Sequence, residues 1–174
     1  MKIFITNLGK YTEGYLIGKW VKLPVSEDKL NEVLEAIGIN EYYEEYFITD
    51  YENDIIGIGD VISEYSSVQA LNELAQRLEE LSDDEADKLG AVLEYEACRS
   101  VSDVLELLDK LDEFDLLTDV TDDEELGYYY AEEYRCIDIP EHIQPYFDYE
   151  KFGRDVRLQS CCLFTSYGFL LDNR

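Results

Sequence analysis

The stretch Lys2-Ile-Phe-Ile-Thr-Asn7 alternates apolar and polar residues, as a β-strand with one buried face does. A turn is predicted at residues 7–10, and a second strand over residues 15–23. Ser26 then predicts the N-terminus of an amphipathic helix, and Tyr46–Tyr51 predicts a third strand. The beginning of the chain therefore predicts a small ββαβ module.

The middle of the chain has a helical pattern. Leucine and valine recur at helical spacing over residues 68–81, 83–93 and 102–111, which predicts three helices. Ser82-Asp83-Asp84-Glu85 has the pattern of a capping box, in which a serine and a glutamate three residues later satisfy free backbone amides at a helix start.

The last part of the chain predicts helices and strands together. The predicted elements are a helix from a capping box at Thr121–Glu124 to Tyr134, a short strand at Cys136–Ile139, a helix at Glu141–Phe147 and a terminal hairpin over 158–165 and 169–171. The predicted fold class is α+β, as an elongated chain of three small domains. Their bounds are 1–61 for an N-terminal α+β module, 62–103 for a helical module and 104–174 for a C-terminal α+β module.

Composition indicates a folded protein with an unusual charge. Hydrophobic residues make up 46% of the 174 residues, with 15 Tyr and 7 Phe, whereas disordered acidic chains are poor in aromatic residues. The 41 carboxylates outnumber 14 Lys and Arg, giving a net charge of -27. With no basic footprint, direct binding to nucleic acid is not expected.

The acidic residues occur along the whole chain rather than in a tail. Residues 30–76 and 111–134 contain no Lys or Arg, so many carboxylates have no basic neighbour in sequence. Duplex DNA carries one negative charge per ~1.7 Å of its axis, so 41 aligned carboxylates would match the charge of about 70 Å of duplex.

No motif of a catalytic or metal-binding site is complete. His142 is the only histidine, which leaves no partner for a nucleophile–base set. Asp50–Val61 begins like a calcium loop, but Ile55 stands where glycine is needed and Val61 where a bidentate glutamate is needed. Gly57-Ile-Gly59 lacks the third glycine of a dinucleotide site. We therefore expect no catalysis, no metal and no cofactor.

Targeting signals are also missing from the sequence. The first residues lead directly into a predicted strand rather than a signal peptide, and no apolar run approaches the ~20 residues of a membrane span. The four cysteines show no C-x-x-C spacing, and Cys161 and Cys162 are adjacent. We expect a reduced, cytoplasmic protein with no membrane contact.

Two interpretations give the acidic surplus a function, beside the simpler one of a solvated surface. The carboxylates could imitate DNA phosphates, or they could sequester a basic DNA-binding protein as an acidic chaperone does. The residues predicted to form a DNA-mimic surface are Glu41, Glu44, Glu45, Asp50, Glu52, Glu73, Glu80, Asp83, Asp84, Glu94, Asp112, Asp115, Asp122, Asp123 and Glu125.

Five segments, in the same order, resemble the ArdA-type antirestriction proteins. They are KIFITNLGKYTEG at Lys2–Gly14, Leu23-Pro24 after the Trp20 strand, EEYFITDYE at Glu44–Glu52, EELGYY at Glu124–Tyr129, and the run from Pro140 to Asp155 that contains YFDYEKFGRD. Together they span nearly the whole chain.

The resemblance implies a function and an assembly. ArdA-type proteins form elongated homodimers through their C-terminal part, resemble bent B-form DNA, and inhibit type I restriction–modification enzymes by occupying the DNA-binding groove without catalysis. The family's antirestriction motif falls on Leu116–Tyr130. Its central residues, which serve either dimer assembly or direct contact, are Glu124, Glu125, Leu126, Gly127, Tyr128 and Tyr129.

Overall fold

Seven α-helices and two three-stranded antiparallel sheets make up the structure, a computed structural model that describes residues 1–174. The predicted α+β class is confirmed. The strands are β1 Lys2–Asn7, β2 Gly18–Lys22, β3 Tyr46–Glu52, β4 Phe114–Leu117, β5 Cys162–Thr165 and β6 Gly168–Asp172. The helices are α1 Leu8–Thr12, α2 Glu27–Ala36, α3 Val68–Glu79, α4 Asp83–Tyr95, α5 Val101–Leu108, α6 Asp123–Tyr128 and α7 Tyr149–Gln159.

The chain divides into two compact units, and each unit consists of two separate segments of the chain. The first unit contains Met1–Ala86 and Cys98–Leu108, and the second contains Asp87–Ala97 and Asp109–Arg174. The division into three modules stays a prediction. None of the helices combines the length with the apolar character needed to cross a membrane.

The sheet of the first unit has the order β2-β1-β3. The alternation that predicted β1 is confirmed, because Ile3 and Ile5 are fully buried while Lys2 is exposed and Phe4 is half-buried. The predicted second strand is shorter than expected and begins only at Gly18. This sheet presents one buried face to the core and leaves the other face partly open.

A short helix, α1, replaces the turn that was predicted after β1. Asn7 is fully buried, and its side-chain oxygen accepts the backbone N–H of Lys10 at 2.9 Å, which is how an asparagine caps a helix N-terminus. The side-chain nitrogen of Asn7 also donates to the carbonyl oxygen of Ile37 at 3.1 Å. Both polar ends of this buried amide are therefore satisfied, and the ββαβ order holds with one helix inserted.

The predicted helices of the middle region are confirmed as α3, α4 and α5, and α3 packs against α5. The capping box at the start of α4 is also confirmed. The backbone N–H of Ser82 donates to the Glu85 carboxylate at 2.8 Å, and the Glu85 N–H donates to the Ser82 hydroxyl at 3.4 Å. On α3, Asn72 makes two hydrogen bonds with the backbone of Val25, at 2.9 and 2.8 Å.

The second unit contains a sheet of order β4-β6-β5. The predicted terminal hairpin is confirmed as β5 and β6, but its first strand begins at Cys162 instead of residue 158 because α7 extends to Gln159. Strand β4 is an addition to the prediction, since four residues are too few to show an alternating pattern.

Two predicted elements of this unit are wrong. Cys136–Ile139 is irregular and pairs with no strand. The helix predicted over Glu141–Phe147 is only a turn followed by one turn of 3₁₀ helix at Gln144–Tyr146. Pro145 lacks the N–H that a continuing helix needs, so the segment cannot extend as an α-helix.

Helix α7 was not predicted, and it forms the closest helix contact of the second unit. A Cβ atom placed on Gly153 would lie 1.9 Å from the Asp123 carbonyl oxygen, and one placed on Gly127 would lie 1.9 Å from the Tyr149 carbonyl oxygen. Glycine at these two positions therefore lets the backbones of α6 and α7 touch, which no larger residue permits.

We expect Gly153→Ala to destabilise the protein by about 2 kcal/mol or more, because the obstructing atoms belong to the backbone and cannot rotate away. Elsewhere in a helix the same change is usually stabilising by about 0.5–1 kcal/mol. Chemical denaturation of this variant and of Asp155→Ala, an exposed position on the same helix, measures the difference. Equal midpoints for Gly153→Ala and the wild type would contradict the close crossing.

Candidate functional site

The carboxylates lie on the surface of both units. No Asp or Glu is buried, and all but five of the 41 are exposed. The five half-buried ones are Glu96, Asp103, Asp123, Glu132 and Asp172. This distribution follows from the cost of removing a charge from water, which is large unless the charge is paired. The surplus of negative charge is therefore available to a partner.

The fifteen residues predicted to form the mimic surface are all exposed except Asp123, which is half-buried. Nine of them, from Glu41 to Asp84, belong to the first unit, and six, from Glu94 to Glu125, belong to the second. Asp50 and Glu52 lie on β3, and Asp83 and Asp84 lie in the first turn of α4. That these side chains follow the path of DNA phosphates stays a prediction.

Several of these carboxylates are fixed by hydrogen bonds to their own unit. Glu52 forms an ion pair with Lys2 at 2.7 Å, and Asp115 accepts the side-chain amide of Asn173 at 2.9 Å. Glu94 accepts the backbone N–H of Ser166 at 2.9 Å. Only the bond to Lys2 cancels a charge. The other two orient the carboxylate and leave its negative charge in place.

Glu41, Glu44 and Glu45 differ from these, because no ion pair or side-chain hydrogen bond involves them. They are exposed in the segment before β3. No Lys or Arg occurs in sequence between Lys29 and Arg77, so these three carboxylates also have no cationic neighbour along the chain.

Asp123 has a structural role. Its two carboxylate oxygens accept hydrogen bonds from Arg157 at 2.7 and 2.9 Å, which joins α6 to α7 in a two-pronged ion pair. The Arg157 guanidinium holds the pKa of the Asp123 carboxyl below its usual range. The Asp123 carboxylate is therefore neutralised by an intramolecular cation. Among the fifteen residues predicted to form the mimic surface, Glu52 is the other one that forms an ion pair.

The capping box predicted at Thr121–Glu124 is shifted by one residue. Asp122, rather than Thr121, caps α6 by accepting the N–H of Glu125 at 2.9 Å. The Glu125 carboxylate reaches back to the backbone N–H and the hydroxyl of Thr121, at 2.7 and 2.8 Å. In this register the helix directs Leu126 into the core.

The six residues at the centre of the motif divide into packing residues and exposed residues. Leu126 is fully buried in a cluster with Val120 and Phe169, and Gly127 makes the contact with α7. Tyr129 is half-buried against the same cluster, at the start of a π-helical turn that continues to Glu133. Exposed members are Glu124, Glu125 and Tyr128.

The exposed motif residues line a groove with a volume of about 620 Å³ in the second unit, which we call the motif groove. Its lining residues are Leu116, Leu117, Thr118, Asp119, Val120, Asp122, Glu124, Glu125, Tyr128, Tyr129, Glu133 and Tyr149. This lining contains five carboxylates and three tyrosines and no Lys or Arg. It therefore favours binding of a cationic side chain and repels a phosphate.

Tyr149 is held in the wall of the motif groove by Glu132. Its hydroxyl donates to the Glu132 carboxylate at 2.5 Å, and this bond raises the pKa of Tyr149 to about 12. The Tyr149 ring also packs against Tyr128, with ring centroids 5.7 Å apart. The phenol therefore stays protonated at neutral pH as a hydrogen-bond donor.

The residues considered for catalysis are not assembled into a reactive group. His142 is exposed on a turn, and burial raises the pKa of the Cys162 thiol, which disfavours its nucleophilic form. None of Cys98, Cys136 and Cys161 forms a disulfide bond. No three side chains of His, Cys, Asp or Glu come together in a way that could hold a metal ion.

Comparison with known protein families agrees with the resemblance drawn from the motifs. The model of the antirestriction protein (ArdA) family matches residues 3–171. The chain belongs to the ArdA antirestriction protein family. Among curated proteins, none matches the chain in sequence. The family match covers nearly all of both compact units, and all of the five resembling segments except Lys2.

Sequence reasoning on this ArdA-family chain missed the partners of the motif. Gly153 and Arg157 lie on α7, after the end of the motif in sequence, and each contacts α6 from there. A signal was present, because Gly153, Arg154 and Asp155 lie in the last resembling segment. Their helical context was hidden by the low number of apolar residues in α7.

We expect Asp123→Asn to lower the free energy of unfolding by about 1–2 kcal/mol at neutral pH, because it removes the charge that Arg157 binds. The Asp123 pKa is depressed in the folded state, so this stabilisation is present above the unfolded-chain value of about 3.9. It is lost as the pH falls through the lower folded-state value.

Denaturation of the wild type and of Asp123→Asn between pH 7 and pH 2 checks this expectation, and the gap between them should close toward the acid end. Asp119→Asn is the control, since Asp119 is exposed and forms no ion pair. A gap that stays constant over this range would show that the ion pair does not stabilise the contact between α6 and α7.

Proposed function

We propose that this ArdA-family protein inhibits type I restriction–modification enzymes by occupying their DNA-binding groove with surface carboxylates in place of phosphates. The observation that carries this proposal is the exposure of all but five of 41 carboxylates on a folded chain with only 14 cations. Membership of an antirestriction family supplies the class of partner.

The mechanism follows from the physics of DNA binding. Lysine and arginine side chains in a DNA-reading groove meet phosphates, and counterions are released when these charges pair. Fixed carboxylates can replace phosphates in that role. Because they present no base edges, binding should be indifferent to the recognition sequence of the enzyme. The interaction should also weaken steeply as salt is added.

Preorganisation favours a folded inhibitor over an acidic tail. Asp50 and Glu52 are held on a strand, and Asp83, Asp84 and Glu94 are held on or next to helix termini. Side chains fixed on such elements lose less conformational entropy on binding than side chains of a flexible segment do. Bonds such as that between Asn173 and Asp115 restrict the carboxylates further.

The proposal also includes a homodimer, inhibition without catalysis, and action in the cytoplasm. We place the homodimer contact in the C-terminal part of the chain, and a dimer would double the length of the mimic. The three-domain arrangement belongs to the same proposal. Inhibition requires no catalysis, no cofactor, no membrane and no direct contact with nucleic acid, and it takes place in the cytoplasm.

A block of amide substitutions tests the mimicry. We expect Glu41→Gln, Glu44→Gln, Glu45→Gln and Asp50→Asn together to weaken competition with DNA for a purified type I methyltransferase by about tenfold or more. Any one of them alone should have little effect, because the charge is spread over many sites. The salt dependence of binding should also become shallower for the fourfold variant.

The matched control exchanges the acids at the same four positions, as Glu41→Asp, Glu44→Asp, Glu45→Asp and Asp50→Glu, so that charge is kept. This variant should inhibit nearly as well as the wild type. One amide substitution that abolished inhibition with fold and dimer intact would contradict the distributed mechanism. Binding only to free basic proteins, without displacement of DNA from the enzyme, would favour the acidic chaperone.

A further inference from the structure

The sheet of the first unit carries a row of two aromatic side chains and one carboxylate. In the register of the strands, Phe4 on β1 lies opposite Trp20 on β2 and opposite Asp50 on β3. Residues that lie opposite one another in an antiparallel sheet project from the same face. Ile3 and Ile5, on the other face, are fully buried. The row therefore lies on the open face of this sheet.

The row lines a cavity of about 510 Å³, a volume within the range of about 300–1,000 Å³ that is typical of ligand sites. Four aromatic rings line it in two edge-to-face pairs. Phe4 and Trp20 have ring centroids 5.3 Å apart, and Tyr11 and Phe47 have centroids 5.1 Å apart. Trp20 and Tyr11 remain 41% and 50% exposed. Aromatic surface is therefore left in water inside this cavity, where it is available to a partner.

Two carboxylates, Asp50 and Glu64, also line the cavity, whereas no Lys or Arg lines it. Both are exposed, and neither forms an ion pair. The Oδ1 atom of Asp50 accepts the backbone N–H of Tyr51 at 2.8 Å, which orients the carboxylate without neutralising it. Glu64 is held beside β3 because its carbonyl oxygen accepts the backbone N–H of Ile48 at 2.8 Å. Two unpaired negative charges therefore adjoin the four rings.

The lysines on the same face of the sheet do not neutralise the cavity. Lys2 lies in the next row along the strands, where it forms an ion pair with Glu52 at 2.7 Å. Lys22 is in that row as well, about 7 Å further along β2 than Trp20, and is not part of the lining. The charge of the cavity is therefore set by its two carboxylates.

This combination of rings and carboxylates favours a cation. A phosphate is repelled by the carboxylates, and an uncharged apolar side chain would remove them from water without pairing them. A cation pairs with the carboxylates and is attracted by the negative faces of the aromatic rings. Arginine suits such a site better than lysine, because its guanidinium group is planar, weakly hydrated and able to stack on a ring while it binds a carboxylate.

We propose that this cavity, which we call the Trp20 pocket, receives an arginine side chain from the DNA-binding groove of the restriction enzyme. The pocket is defined by Phe4, Tyr11, Trp20, Phe47, Asp50 and Glu64. This inference rests on the proposed function and names a site within it.

The position of Asp50 connects the pocket to the enzyme. Asp50 belongs to the predicted mimic surface, so the Trp20 pocket faces the same basic groove that this surface fills. An arginine that holds a phosphate in the complex with DNA meets a carboxylate here, and it also meets aromatic rings that a phosphate backbone does not offer. The inhibitor therefore gains a contact that DNA lacks, for the same cation.

The single tryptophan makes the test direct, because fluorinated tryptophan supplied during growth enters the chain only at Trp20. Fluorine withdraws electron density from the indole ring and changes its shape little, so it weakens the attraction of a cation and leaves apolar packing nearly unchanged. Protein with 5-fluorotryptophan, and then with 5,7-difluorotryptophan, should bind a purified type I methyltransferase about twofold more weakly for each added fluorine. Equal affinities of the three proteins would contradict a cation at this ring.

A double-mutant cycle tests whether the ring and the carboxylates act on one cation. We expect Trp20→Leu to weaken binding to the methyltransferase by about tenfold, although the net charge is unchanged. In a background of Asp50→Asn with Glu64→Gln, the same change should weaken binding by only about threefold or less, because the carboxylates no longer hold a cation at the ring. The control is Tyr42→Leu, which removes a highly exposed aromatic ring beside Glu41 and outside the pocket. An equal effect of Trp20→Leu in both backgrounds would indicate an apolar occupant and overturn the inference.

The possible failures are distinguishable. If fluorination and Trp20→Leu leave the affinity unchanged while the wild type still displaces DNA from the enzyme, the pocket inference is overturned and the proposed function stands. The ¹⁹F resonance of the 5-fluorotryptophan protein should shift when methyltransferase is added. A resonance that instead moves when the inhibitor alone is concentrated overturns the inference in favour of a cation from a second copy. Failure of the wild type to compete with DNA removes both proposals together.

Discussion

Mutual repulsion among 41 carboxylates is the constraint on which the rest of this structure depends. Only 14 cations oppose them, so the fold must be held together by apolar burial and by a few well-placed ion pairs. In the second unit, α6 and α7 meet through Gly127 and Gly153 and are joined by the pair between Asp123 and Arg157. One of the scarce cations, Arg157, is therefore used to join two helices.

Local patterns in the sequence predicted the elements whose signals are local. The alternation of β1, the serine cap of α2 and the capping box at Ser82 were all recognisable from a few adjacent residues. Helix α7 and strand β4 were missed because their places are decided by distant partners: α7 by its contact with α6, and β4 by its pairing with β6. The motif was located from resemblance, but the inward roles of Leu126 and Gly127 required the structure. The exposure of the carboxylates could be predicted from the cost of burying a charge. Their positions relative to one another could not be predicted from the sequence.

The most direct test of DNA mimicry is the structure of this protein bound to a type I methyltransferase core, determined by electron cryo-microscopy beside the same enzyme bound to DNA. The mimicry account predicts that the inhibitor fills the DNA groove, and that carboxylates from both units contact the same lysines and arginines that hold phosphates in the DNA complex. An inhibitor bound elsewhere, with the groove open and those side chains in water, would contradict it.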